Sequence, residues 1–232
     1  MKQLKVGVVG ASGKMGKELR HVICEAGFIP FLGMYNSKKP EGFEHTANSW
    51  ADKKAEEVDL WIDFSLPEAF DQAIKAMAKF KKPIVSGTTG ISVAQKELLK
   101  EASAQAPILW SSNMSVGVAF VNKILSQFKD IKDFDFQIEE LHHKHKKDAP
   151  SGTAKTMQEN LEAAVGKKVP PTLSIRGGGI FGVHRIWAMS DQEVITVEHQ
   201  ALNRRVFAEG ALKAGLSILN KGPGLYSMKD IF

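Results

Sequence analysis

KVGVVGASGKMGKELRHVICEAG, residues 5–27, runs from a short apolar segment through a glycine-punctuated turn into a helical pattern. KVGVVG (5–10) is rich in valine, which suits a buried strand. Leu19, Val22, Ile23 and Ala26 then recur at i, i+3, i+4 and i+7, one face of a helix. Gly27 stops that helix. A strand, a tight turn and a helix in immediate succession form the first half of a βαβ unit.

The alternation continues outward from this stretch. FIPFLGMY (28–35) and VDLWIDFS (58–65) read as strands, and Pro67 is suited to the first turn of a helix over PEAFDQAIKAMAKF (67–80). KPIVSG (82–87) is a further strand, SVAQKELLKEASAQ (92–105) a helix and APILWSS (106–112) another strand. Strand–helix alternation with short links predicts an α/β fold with a Rossmann-type, doubly wound parallel sheet. Such sheets bind ligands beyond the carboxyl ends of their strands.

The second half has a different rhythm. SVGVAFVNKILSQF (115–128) has a helical pattern, and DFDFQIEELHH (133–143) alternates as a strand does. SGTAKTMQENLEAAV (151–165) reads as a helix with Ser151 as its N-cap. HRIWAMS and EVITVEHQ flank Asp191-Gln192, the pattern of an antiparallel ribbon. RRVFAEGALKAGLSILN (204–220) is a final helix, ended by Gly222-Pro223-Gly224. These elements predict a second α+β domain on an antiparallel or mixed sheet.

Bulk properties narrow the function. The 232 residues suffice for one large or two small domains with a real core. No apolar run approaches the roughly 20 residues that span a bilayer, so no membrane partner is expected. The first residues, MKQLKVGVVG, lack the layout of a signal peptide. Cys24 is the single cysteine, which excludes an internal disulfide and fits a reducing, cytoplasmic setting. A net charge of +5 is compatible with anionic small molecules and does not by itself argue for DNA.

The turn after the first strand is built for a pyrophosphate. In Gly10-Ala11-Ser12-Gly13-Lys14-Met15-Gly16 the glycines fall at 10, 13 and 16, and Ser12 takes the middle position of the usual G-x-G-x-x-G pattern. Small residues let the backbone approach the ligand, and the helix start offers unpaired N–H groups. Lys14 adds a charge. Sheets that prefer NAD put an acidic residue at the end of the second strand; here Tyr35-Asn36-Ser37-Lys38-Lys39 carries none before Glu41. Lys38 and Lys39 there favour NADPH, with NADH as the second candidate. Gly87-Thr88-Thr89 and Ser111-Ser112-Asn113-Met114 end the strands on the same sheet edge, where hydroxyls and amides suit a ribose or carboxamide; ordinary turn chemistry explains them as well.

EELHHKHKKDAPSGTA (139–154) places three histidines and three lysines in six consecutive positions. A metal site wants neutral histidines with carboxylates or cysteines, and interleaved lysines repel a cation, so no metal is expected. Nucleic-acid binding wants stacking aromatics over a wider basic surface, and none is present. A solvated loop and an anion-binding catalytic site remain. For the latter, a histidine supplies a proton near neutrality, a lysine holds a carboxylate, and the helix start at Ser151-Gly152-Thr153 holds another.

ELHHKHKKDAPSGTA resembles the signature of the dihydrodipicolinate reductases, also named 4-hydroxy-tetrahydrodipicolinate reductases, of lysine and diaminopimelate biosynthesis. GxxGxMG at 10–16, DFS at 63–65, GTTG at 87–90, NMSVGV at 113–118 and the closing KGPGLYSMKDIF are similar to that family too. The resemblance implies an NAD(P)H-dependent reductase that delivers hydride to C4 of a small cyclic dicarboxylate. It implies that His142 is the general acid, Lys146 its catalytic partner, and His143, Gly152, Thr153 and Arg204 ligands of the substrate. It also implies a nucleotide domain of residues 1–113 plus 204–232, a substrate and oligomerisation domain of 114–203, closure of one over the other, and a homo-oligomer, tetramer or dimer. The chain is shorter than the family pattern at 36–57 and 175–182 and lacks the acidic residue after the second strand. An aspartate-type amino-acid dehydrogenase of similar build and a non-catalytic NADP-binding redox sensor are the competing functions.

Overall fold

A computed structural model describes residues 3–232; Met1 and Lys2, the first two residues of the expected nucleotide domain, lie outside the described residues. The chain divides into two compact units. One comprises the residues up to Ser115 with Phe207–Phe232, the other Val116–Val206.

The first unit is a parallel sheet of seven strands. β1 (Lys5–Val9), β2 (Ile29–Met34), β3 (His45–Ala47), β4 (Leu60–Asp63), β5 (Ile84–Ser86) and β6 (Pro107–Trp110) are joined by β11 (Gly224–Tyr226). Their order is β11-β6-β5-β4-β1-β2-β3, so the winding reverses between β1 and β4. α1 (Lys14–Glu25), α2 (Pro67–Phe80), α3 (Val93–Ser103) and most of α6 (Arg205–Ile218) accompany it. The strands are short and almost wholly apolar, as expected for a parallel sheet buried on both faces. Val6, Val8, Leu60, Ile62 and Ile84 are fully buried. Trp61 and Phe70 are the largest side chains in the core; at about 25 cal/mol per Å² each such aromatic contributes several kcal/mol of burial.

Local chemistry explains the helix boundaries. α1 ends at Ala26, and Gly27 takes a positive φ of 77°. α2 begins at Pro67, whose missing N–H is not needed in a first turn. Ser92 caps α3 through a capping box with Gln95. Two edge strands, β3 and β11, were not expected. β3 has three residues, too few to show alternation, and β11 overlaps the Gly-Pro-Gly segment that reads as a helix terminator.

The second unit holds a mixed four-stranded sheet, order β10-β9-β7-β8. β7 (Asp135–His142) and β9 (Gly182–Met189) are antiparallel, as are β9 and β10 (Val194–Ala201). β8 (Leu173–Arg176) runs parallel to β7, reached through α5 (Gly152–Val165). β8 was unforeseen, and it makes the sheet mixed. Along β7 burial alternates: Phe136 and Ile138 pack with Val121 and Leu125 of α4 (Val116–Leu125) and Met157 and Leu161 of α5. Glu140 and His142 continue that inward row. No helix among the described residues is long and apolar enough to cross a membrane.

Candidate active site

The nucleotide half lies at the carboxyl edge of the parallel sheet. Gly10 follows β1, Phe64-Ser65 follow β4, Gly87-Thr88-Thr89 follow β5 and Ser111 follows β6. Gly10 has φ +76°, and a Cβ there would meet the Phe64 carbonyl oxygen at 2.7 Å, so the turn requires glycine. A Cβ on Gly16 would meet the Ala11 carbonyl at 2.5 Å, and this close approach seats α1 against the turn. Gly13 caps α1 with no side-chain bond and no acidic residue follows in the first turn, leaving the helix start to a ligand's negative charge. The cradle fits a pyrophosphate. Ala11 and Gly16 are buried, Met15 is half-buried and Lys14 is exposed.

A cavity of about 700 Å³ borders this turn through Gly10, Ser12, Gly13, Tyr35 and Ser65. A second of about 390 Å³ begins at Ala11 and Ser12 and is lined by Lys17, Arg20, Lys38 and Lys39. Arg20 was not foreseen. It lies on α1 across Gly42, where a Cβ would meet its Cδ at 2.6 Å.

At the other strand ends the side chains turn inward. Ser86 and Thr88 donate their hydroxyls to the buried Asp63 carboxylate at 2.6 and 2.8 Å. Ser65 N–H donates to the same group at 2.9 Å. The Ser111 hydroxyl donates to the Asn113 carbonyl at 2.7 Å, the Asn113 side chain accepts from Ser115 N–H at 2.8 Å, and Met114 is buried. The hydroxyls of Thr88 and Ser111 thus donate within the protein and brace the strand ends. Thr89 and Ser112 remain exposed. Asp63, in the DFS motif, is the organiser that sequence reasoning did not single out.

The second unit brings His142, Lys146 and Gly152 together around the loop between β7 and α5. The His142 ring is buried, and its Nδ1 pairs with the carboxylate of Glu140, which is fully buried. Burial holds the His142 pKa below its ordinary value, while Glu140 pulls it the other way. Burial pushes Glu140 up, and the hydrogen bonds of Arg176 and His142 overcome this and leave its carboxyl below the usual range. An ionised carboxylate only accepts, so the contact calls for a proton between Glu140 and His142 Nδ1. The loop passes through a cis Ala149–Pro150 peptide.

Lys146 Nζ lies 2.8 Å from the Asp148 carboxylate. Burial raises the Asp148 pKa, but Lys146 and the backbone N–H of Gly152 together hold it below the ordinary value. One carboxylate is thus gripped by an ammonium and by the start of α5. Ser151 caps that helix, accepting from Ala154 N–H at 3.2 Å. Gly152 is exposed, with nothing within 4 Å of a would-be Cβ, and Thr153 is half-buried beside it. His143 Nδ1 is buried with no hydrogen-bond partner among the described residues. Arg204 stacks on Phe181, 5.1 Å from the ring centroid. Glu140, Arg176, His184 and Gly182 were missed as site residues. Of these only Glu140 lies within the signature stretch.

Two sequence profiles match, described as dihydrodipicolinate reductase N-terminus over residues 4–114 and C-terminus over 117–232. The chain belongs to the dihydrodipicolinate reductase family. It is 51% identical to a 4-hydroxy-tetrahydrodipicolinate reductase of Bdellovibrio bacteriovorus, over 100% of this chain and 97% of that one. It is 38% identical to one of Sulfurimonas denitrificans, over 98% of each. A dipicolinate-bound dihydrodipicolinate reductase from Paenisporosarcina sp. TG-14 shares the fold, with TM-score 0.83, 19% identity and complete coverage of both chains. An aspartate dehydrogenase from Thermotoga maritima overlaps less closely, with TM-score 0.57 and 14% identity over 95% of this chain and 98% of that one. The dihydrodipicolinate reductase family, rather than the aspartate dehydrogenases, is the one whose sequence pattern this chain carries from end to end.

Proposed function

We propose that this chain reduces 4-hydroxy-tetrahydrodipicolinate to tetrahydrodipicolinate with NAD(P)H, in lysine and diaminopimelate biosynthesis. The observation that carries this reading is the Asp148 carboxylate, held by Lys146 and Gly152 beside the Glu140–His142 pair. That corner binds a carboxylate and has a titrating ring next to it, which is what a dicarboxylate needs in order to be held and protonated.

When bound, the dihydronicotinamide supplies the hydride. Once water has left C4 of the 4-hydroxy substrate, C4 of the resulting conjugated imine takes the hydride and His142 Nε2 delivers the proton to the adjacent C3. Lys146 exchanges Asp148 for a substrate carboxylate and stabilises negative charge developing on the ring. Gly152 and Thr153 hold a carboxylate through N–H groups at the start of α5, and His143 and Arg204 complete the grip. Gly10–Gly16 seat the pyrophosphate, with Gly87–Thr89 and Ser111–Met114 bordering the rest of the cofactor.

NADPH is the preferred cofactor in this reading. Four cationic side chains, Lys17, Arg20, Lys38 and Lys39, line the cavity next to Ser12, against one carboxylate, Glu41. A ribose 2′-phosphate is the dianion suited to them. We further infer a homo-oligomer, tetrameric or dimeric. The sheet face turned away from α4 and α5 carries Leu141, Leu173, Ile175, Trp187 and Val194, and Leu173 and Val194 are each 56% exposed. A reducing, cytoplasmic setting accords with Cys24, exposed and unpaired to any other cysteine.

The deciding experiment mixes the protein with the condensation product of pyruvate and aspartate semialdehyde and follows oxidation of NADPH and NADH. Turnover with NADPH supports the reading. Turnover with aspartate and NADP⁺ but none with the condensation product overturns it, and cofactor binding with no turnover on either substrate indicates a sensor instead.

A further inference from the structure

Glu140 touches both halves of the dicarboxylate site. Its Oε2 meets His142 Nδ1 on the same strand, two residues on and therefore on the same face. Its Oε1 accepts from Arg176 Nη2 of β8 at 2.6 Å and from Ser151 N–H, at the start of α5, at 3.4 Å. The same Arg176 Nη2 donates to the Asp148 carbonyl at 2.6 Å, which pins the loop bearing Lys146.

We propose that Glu140, kept ionised by Arg176, is the positioning residue that fixes His142 with Nδ1 protonated and Nε2 presented for proton transfer, while tying that ring to the carboxylate grip at Ser151-Gly152. The inference rests on His142 being the proton donor. A buried carboxylate beside an imidazole is unreliable as an acceptor when it stands alone, because it gains by taking up a proton itself. The Arg176 guanidinium removes that option. His142 then has one nitrogen committed in both protonation states.

The surroundings leave the other nitrogen as the working one. A Cβ at Gly182 would come within 3.0 Å of His142 Nε2, so any side chain at this position of β9 would crowd that atom. The neighbouring His184 ring stands edge-on to His142, 5.2 Å away, with its Nε2 3.2 Å from the Ser151 hydroxyl. Burial, helped by the nearby His142 charge, drives His184 down to about 3, so it adds no competing cation near neutrality. Lys146 and Arg176 are the remaining charges that act on His142, both opposing its protonation, against Glu140. Removing the Glu140 charge while keeping its shape therefore has one electrostatic consequence: His142 becomes harder to protonate.

The test is ¹⁵N NMR of histidine-labelled protein, with His142 assigned by its absence in His142→Gln, alongside pH–rate profiles of wild type and Glu140→Gln. Wild-type His142 is expected as the Nδ1-protonated tautomer. In Glu140→Gln its titration is expected about one pH unit or more lower. The limb of the kcat profile should move with it, and kcat at neutral pH should fall about tenfold or more while KM for the cofactor is unchanged. A merely structural glutamate would lower yield or stability without moving the limb. An Nε2-protonated wild-type His142, or an unmoved titration in Glu140→Gln, overturns the proposal; the first needs no variant, so a variant that fails to fold does not shield it. His142→Gln at wild-type turnover would sink the proton-donor reading instead, whatever the tautomer.

Discussion

Lys146 Nζ sits 2.8 Å from the Asp148 carboxylate, two residues along the same loop, and Lys146 N–H donates to the His143 carbonyl at 3.0 Å. The ammonium is therefore placed by its own loop, against an internal carboxylate. Lys146→Met keeps the length of the side chain and removes its charge. Its expected effect is a loss of about 10² or more in kcat/KM for the dicarboxylate, the scale of a lost charge-assisted contact in a transition state. The dissociation constant for NADPH, measured by fluorescence, should stay within about twofold, because the substitution leaves the glycine turn untouched. Equal loss of cofactor binding would place Lys146 in the nucleotide site instead.

His142→Gln separates proton transfer from binding. Gln can accept or donate a hydrogen bond from the same strand position, but it does not titrate. Turnover should drop by about 10² or more, with dipicolinate and cofactor affinity changed far less. The readout is steady-state kinetics beside calorimetric titration of both ligands. Unchanged kcat with a raised KM would make His142 a binding group only.

The first strand–turn–helix was legible because two independent signals agreed there, glycine spacing and helical periodicity. α2 was found over the residues it occupies, since Pro67 marks its start and Phe70, Ala73, Ile74 and Met77 trace one buried face. β3, β8 and β11 were not legible. With three or four residues each they show no period, and their strand character comes from the neighbour that pairs with them. The site divides in the same way. His142 and Lys146 stand out as residue types, whereas the part played by Glu140 depends on Arg176, which only the β7–β8 pairing brings alongside. The internal bonds of the Thr88 and Ser111 hydroxyls were not legible either, because a strand-end hydroxyl has the same sequence signature whether or not it braces a neighbour such as Asp63 or Asn113.

The basic cavity beside Ser12 predicts cofactor choice. Lys38→Glu with Lys39→Glu should raise KM for NADPH by about tenfold or more and change KM for NADH by less than about threefold, since only the former carries a 2′-phosphate. Arg20→Ala should act in the same direction, because Arg20 lines the same cavity from α1. KM values for both cofactors, measured at fixed ionic strength, check this. Parallel loss for both cofactors would mean that these residues do not read the phosphate.

His184 makes the second unit acid-sensitive in a defined window. Burial first, and the His142 charge next, hold its pKa at about 3 against an ordinary 6.5. Below about pH 6.5 the unfolded chain takes up a proton on this residue and the folded chain does not. Its contribution to stability is therefore complete above that value and is lost as pH falls toward 3, on the order of 5 kcal/mol in all. His184→Gln retains a partner for the Ser151 hydroxyl without a titrating group. At about pH 7.5 the variant should be the less stable, by roughly 1 kcal/mol for altered packing and hydrogen bonding. As pH is lowered to about 5 the gap should close and then reverse, because only the wild type sheds the His184 contribution. Urea unfolding at a series of pH values gives the difference directly, and Glu140 and Asp148, common to both proteins, cancel from it. A gap that stays constant from about pH 7.5 to 5 would mean that His184 titrates alike in the folded and unfolded chain, and the buried ring beside Ser151 would then have to be open to solvent.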